Sequence, residues 1–243
     1  LGFYQLFKMK IVRPDPAINQ VLNKHIKLYR HLNAKHKYKF YLRCHIFQNQ
    51  MEFIPRNGFQ LQKEHRFLIS AAYVKLTFGR SYKPLSEFST ILIYPEAYYS
   101  RITRKKHKGE VNRAGIIVLS WQDFQSDWIN ETDNMNLGLH EFSHVMVIES
   151  EMNQAHSDFN SAFQRWSKLV KQKNIGDKYL QSEYFRPYAN TNFVELFAVM
   201  TECFFETPHE FQERFPGMYG NIKSIYAIDP LRIYNHPQNL SLQ

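Results

Sequence analysis

Apolar positions recur along this chain first at a helical period, then briefly at a strand-like one, then at a helical one again. Asp15-Pro16 reads as an N-cap followed by proline at the first helical position. Ile18, Leu22, Ile26, Tyr29 and Leu32 then follow at helical spacing. A second helical or mixed stretch covers 38–53 and stops at Pro55. A third covers 61–78, with Phe67, Ala71, Val74 and Phe78 as its apolar stripe and Gly79 as its C-cap. Two short β-branched runs, 90–94 ahead of Pro95 and 115–120, predict strands with an exposed basic loop between them. Residues 121–134 are polar and show no period. From Met135 the helical period returns, and further helices are expected over 158–171, 193–205 and from Pro208 to about Ile228. No repeat or linker interrupts the pattern. It predicts one α+β domain over 16–243, mostly helical with a small sheet, behind an N-terminal segment 1–15.

Composition adjusts this picture in a few places. A chain of 243 residues can bury a substantial core, and 16% aromatic content, with 20 Phe and 15 Tyr, supplies large side chains to fill it. The net charge of +9 is concentrated at 24–43 and at Arg101, Arg104, Lys105, Lys106 and Lys108. No nucleic-acid motif accompanies these groups, so they read as a solvated face and an exposed loop, and nucleic acid is not an expected partner. Two cysteines, Cys44 and Cys203, match no metal spacing and are too few for a disulfide framework, which points to reduced thiols in a cytoplasmic setting. No complete signal peptide or membrane span is present. The opening Leu1-Gly-Phe-Tyr-Gln-Leu-Phe7, followed by Lys8 and Lys10, reads either as an ordinary arm or as the remnant of a membrane anchor that holds the domain on the cytoplasmic side.

The chemistry concentrates in His140-Glu-Phe-Ser-His144, an HExxH arrangement. Residues i and i+4 of a helix lie one above the other, so both imidazoles can bind a single zinc ion while Glu141 stands beside them as a base. Met135, Leu139, Phe142 and Met146 fall on the opposite side of the helical wheel, which anchors the helix and leaves its other face to a cleft. Such a site needs three protein ligands and an open position for water. A third histidine six residues beyond His144 is excluded, because that position is Ser150, and His156 reads as structural. Glu195, Glu202 and Glu206 share one face of a later helix, with Phe197, Met200 and Phe204 opposite. Glu195 and Glu202 are about 10 Å apart along that axis, so only one can bind the metal directly. The other is free to orient a ligating histidine or simply to be solvated, and spacing does not choose between them.

The chain resembles the zinc-dependent peptidases of the Mlc titration factor A type, of gluzincin character. The resemblance rests on His140-Glu-Phe-Ser-His144, on Tyr188-Ala-Asn-Thr-Asn-Phe-Val-Glu195-Leu-Phe-Ala-Val and on Glu202-Cys-Phe-Phe-Glu206-Thr-Pro208. Weaker echoes are Ile93-Tyr94-Pro95, Val118-Leu119-Ser120-Trp121 and Asp229-Pro230-Leu231. It implies His140, His144 and Glu195 as zinc ligands, Glu141 as general base, and Tyr188 beside the metal as the oxyanion donor. Glu202 is then left as the candidate for a carboxylate behind a ligand. The family pattern continues after the second histidine with Leu-Asp and a glycine-rich stretch, where this chain has Val145-Met-Val-Ile-Glu149. The cleft rim therefore departs from the family.

The expected function is hydrolysis of peptide or protein substrates by a metal-activated water. The strand 115–120 is expected to offer substrate an edge to lie along. The alternative, also implied by the resemblance, is a zinc-containing binding protein that sequesters a transcriptional repressor with little or no proteolysis. The intact Glu141 favours catalysis, since a binding module has no need of it.

Overall fold

The computed structural model describes residues 12–100, 104–172, 182–186 and 192–235. The N-terminal segment 1–11, Arg101 and Tyr188 lie outside the described residues.

The first helices form as their caps dictate. Asp15 accepts from the Ala17 amide and opens α1 (Pro16–His25), which breaks at the extended Ile26 before the short α2 (Lys27–His31). Asn33 caps α3 (Ala34–Gln50), and β1 (Glu52–Pro55) follows, so the mixed stretch divides cleanly into a helix and a strand. Then comes α4 (Lys63–Thr77), buried along nearly its whole length. Gly79 is not a left-handed cap: a Cβ there would sit 2.2 Å from the Ala227 carbonyl oxygen, so its role is close packing.

Strands β2 (Thr90–Tyr94), β3 (Tyr98–Ser100), β4 (Lys105–His107), β5 (Gly109–Asn112) and β6 (Ile116–Ser120) come next. The segment read as a plain basic loop thus holds an antiparallel β3–β4 ribbon and the strand β5. The main sheet runs β1-β2-β6-β5. β1, β2 and β6 are parallel, and β5 returns antiparallel to β6 with Val111 opposite Ile117. The strand 115–120 is therefore interior, and the expectation that it offers an edge is wrong. β5 is the edge on that side, because the chain turns back at Gly115 with φ +81° and pairs on its outer flank.

Ser120 then caps α5 (Trp121–Ile129), a helix where no period was read. Trp121, Phe124 and Trp128 are its buried face, which is too short to stand out among polar neighbours. The motif helix α6 (Leu137–Met152), α7 (Ser157–Lys171) and α8 (Phe193–Glu206) match the expected positions. The last expected helix is broken at Phe215-Pro216 into α9 (Pro208–Arg214) and α10 (Pro216–Tyr226), because proline cannot continue the hydrogen-bond ladder. A short α11 (Pro230–Asn235) follows.

Two aromatic clusters fix the helices that matter. Behind α6, Phe142 packs on Phe47 and Tyr73 with ring centroids 5.8 Å away in each case. Behind α8, Phe197 meets Phe163, Trp166 and Tyr226 at 5.0–5.9 Å. Leu139, Phe142 and Met146 are buried as expected, but Met135 is exposed because it precedes the helix. Gly138 lets α6 approach α5 and α4, since a Cβ there would lie 2.6 Å from Phe124. Cys44 and Cys203 are buried free thiols. No described helix is long and apolar enough to cross a membrane.

Candidate metal centre

The site forms where α6 and α8 meet, and asparagine starts both helices. The Asn136 side chain accepts from the Leu139 amide, and the Asn192 side chain accepts from the Val194 and Glu195 amides. The second cap places Glu195 in the first turn of α8, where the positive end of the helix dipole favours a carboxylate. Helical geometry stacks His140 and His144 on the cleft face of α6. Their Nε2 atoms are 3.2 Å apart, and Glu195 Oε2 lies 3.1 Å from the first and 3.5 Å from the second.

The two glutamates that the spacing left open stand on different sides of the His140 ring. Glu202 sits two turns further along α8, wholly buried, with Oε1 2.6 Å from His140 Nδ1. A carboxylate only accepts, so Nδ1 carries a proton, and Nε2 is the ring atom that faces His144 and Glu195. Glu202 Oε2 accepts from the Asn136 amide and from Arg186. Glu202 therefore holds the back of His140, while Glu195 faces the imidazole edge that looks into the cleft.

Electrostatics support a cationic centre. Burial works against the Glu195 carboxylate, but the His140 and His144 rings outweigh it and hold its pKa near about 2. Burial likewise opposes a charge on His140, yet the Glu195 and Glu202 carboxylates raise it to about 10. Burial pushes the Glu141 carboxyl upward. Whether a metal fits is decided by the donors. One atom each from His140, His144 and Glu195 lie within 4.8 Å of one another, and two imidazoles with one carboxylate suit a catalytic zinc ion. The residues fit the group.

Glu141 is buried against the first residue of β5, since a Cβ on Gly109 would come within 2.5 Å of Glu141 Oε1. The cleft in front of the centre has two lobes of about 510 and 550 Å³ that share His107, Gly109, His140 and Glu141. The rim sequence that departs from the family divides by burial. Val145 and Met146 are core, and Val147 and Ile148 line the first lobe. Glu149 is fully buried and accepts from the Ser86 and Glu87 amides, fixing the loop that leads into β2. His156 is structural, with burial lowering its pKa beside the Pro84 carbonyl.

Sequence reasoning missed Arg186, Asn136 and Gly109. Only the Asn136 cap, three residues before the Leu139 amide it accepts from, carried a readable signal. Arg186 and Gly109 acquire roles through packing between segments distant in the chain.

A half-buried histidine pair with a carboxylate on a helix-rich α+β domain defines a metallopeptidase-like protein. The chain belongs to the glucose-regulated metallo-peptidase M90 family, whose model matches residues 8–227. An uncharacterized protein of Synechocystis sp. is 28% identical over 93% of this chain and 88% of its own length. Mlc titration factor A of Escherichia coli O1:K1 is 23% identical over 78% of each chain, and that of Escherichia fergusonii 24% identical over 79% and 80%. The family resemblance read from the motifs is borne out.

Proposed function

We propose that this protein is a zinc-dependent peptidase in which His140, His144 and Glu195 hold the ion and Glu141 is the general base. The observation that carries this reading is the convergence of His140, His144 and Glu195 donor atoms within 4.8 Å at a cleft that Glu141 also lines. A zinc ion held by such a set supplies Lewis acidity, polarising a carbonyl and lowering the pKa of water to about 7. The rest is work for the chain's own side chains. Glu141 Oε1 takes one proton from a water in the cleft, holds it in a buried pocket that favours the protonated form, and passes it to the departing amine nitrogen. Glu202 keeps the His140 ring in one tautomer and one orientation throughout. Tyr188 is assigned as the oxyanion donor by the family resemblance alone, a role worth about 3 kcal/mol.

Substrate would lie as an added strand on the free edge of β5, whose first residue abuts Glu141. The relatives named Mlc titration factor A make a protein partner the second reading, with the same centre serving to hold a surface rather than to cleave. Glu141 speaks for catalysis, because burying a carboxylate against an open cleft carries a desolvation cost that docking does not require. Glu141→Gln should retain zinc, measured by metal analysis, and lose hydrolysis of a peptide library. Full turnover in that variant would refute the assignment.

A further inference from the structure

The two lobes of the cleft differ in charge. The second lobe is lined by Lys105, Lys106, Lys108 and Arg186 together with Asp127. Lys108 is paired with Asp123 at 2.8 Å, and Arg186 with Glu202. Asp127, which accepts from the Leu137 amide, offsets one charge, and the remaining positive surplus is carried by Lys105 and Lys106, both exposed on the β3–β4 ribbon. The first lobe has no such surplus. Its Arg113 pairs with Glu151 at 2.8 Å, Glu110 adds a further carboxylate, and Val111, Val147, Ile148 and Phe193 give it an apolar wall.

β5 gives these lobes a direction. It runs from Gly109, at the boundary between them, toward Asn112 on the first-lobe side. An antiparallel partner, the more stable pairing, runs the opposite way. Its N-terminal half lies in the apolar lobe and its C-terminal half beside Lys105 and Lys106. We infer that this cleft selects peptides carrying a carboxylate on the C-terminal side of the bond facing Glu141, with apolar residues before that bond. The inference rests on the peptidase reading for the position of the bond, but not on turnover. The carboxylate belongs to an Asp or Glu side chain or to a nearby chain end, and Lys105 and Lys106 recognise the charge common to both.

The test is fluorescence anisotropy with zinc-loaded Glu141→Gln protein, which binds peptide without consuming it. Labelled, C-terminally amidated peptides carry apolar residues in the first half and Asp, Asn or Lys in the second. One further peptide has Asn there and a free C-terminus, and another has its halves exchanged. Two exposed lysines should separate the Asp from the Lys peptide by about tenfold at low salt. The order should be Asp, Asn, Lys, and it should invert when Lys105→Glu and Lys106→Glu are combined. Tighter binding of the free-terminus peptide than of its amidated twin would identify the chain end as the preferred source of the carboxylate. Equal affinities, no binding by any peptide, an order unchanged by the charge reversal, or preference for the exchanged peptide would each overturn the inference. Wild-type turnover is scored separately: binding in the expected order without cleavage would overturn the peptidase reading and leave this one standing.

Discussion

Glu202→Gln separates the roles of the two glutamates on α8 by energy as well as by distance. The side chain is wholly buried, with one oxygen 2.6 Å from His140 Nδ1 and the other accepting from the Asn136 amide 3.2 Å away and from Arg186. Glutamine preserves the shape but keeps only one acceptor oxygen. If that oxygen serves His140, the new amide NH₂ faces the Asn136 N–H and the Arg186 guanidinium, donor against donor. If it serves those two, His140 Nδ1 loses its partner and the ring loses its tautomer. Either way a hydrogen bond to a charged group is lost, worth about 1.5–3 kcal/mol. Part of the strain is relieved by Arg186, whose side chain is 32% exposed and can turn to water. Zinc affinity should therefore fall about 10–100-fold, the range for losing such a support. Competition against a chromophoric chelator measures it, with Glu195→Gln as comparator. Glu195→Gln changes a member of the proposed donor set and should cost more. The reasoning fails if Glu202→Gln binds zinc as the wild type does, or if it loses the metal while Glu195→Gln keeps it.

Gly109→Ala should keep zinc and lower turnover, because the new methyl must displace the Glu141 carboxylate from its place beside β5; unchanged kcat/KM would show that Glu141 has room to move. Lys75 and Glu206 are both buried; burial lowers the lysine's pKa and raises the carboxyl's, and the charge of each partly offsets the other's shift. Glu206 also accepts from Asn136 Nδ2 at 3.0 Å, so Lys75→Met combined with Glu206→Gln, which keeps that acceptor, should cost less in urea than the sum of the two single changes, and additive losses would argue against compensation. For Asp158, burial opposes the charge, but Lys83 and Arg80 lower its pKa from 3.8 to about 2. A depressed carboxyl stabilises above the unfolded value and loses that contribution as pH falls through the folded one. With its side chain 47% exposed, solvent screening reduces this to about 1 kcal/mol. Asp158→Asn should therefore be less stable at pH 7 and converge on wild type as pH falls below about 2; a constant difference across that range would assign the loss to packing.

How much of this could be seen in the chain depended on whether the cause was local. The motif helix was legible because its signal is periodic, with His140 and His144 on one face and Leu139, Phe142 and Met146 on the other. The back face of α8 was legible for the same reason, through Phe197, Met200 and Phe204. The edge of the sheet was not, because 115–120 and 109–112 differ only in which of them finds a partner on both sides, and that is decided by β2 arriving from residue 90. Glu195 and Glu202 show the boundary sharply. Both lie on the cleft side of one helix, seven residues apart, and nothing in their own neighbourhoods distinguishes a donor from a support. The distinction arises from the height at which α6 crosses α8, fixed from behind where Phe47 and Tyr73 pack on Phe142 of α6 and where Phe163 and Trp166 pack on Phe197 of α8. Exchanging the two carboxylates at the His140 ring would take a slide of two turns, about 10.5 Å, along α8. The aromatic packing behind the two helices thus decides which carboxylate faces the cleft, and a large-to-small change at Phe142 or Phe197 should disturb zinc affinity although neither side chain touches the centre.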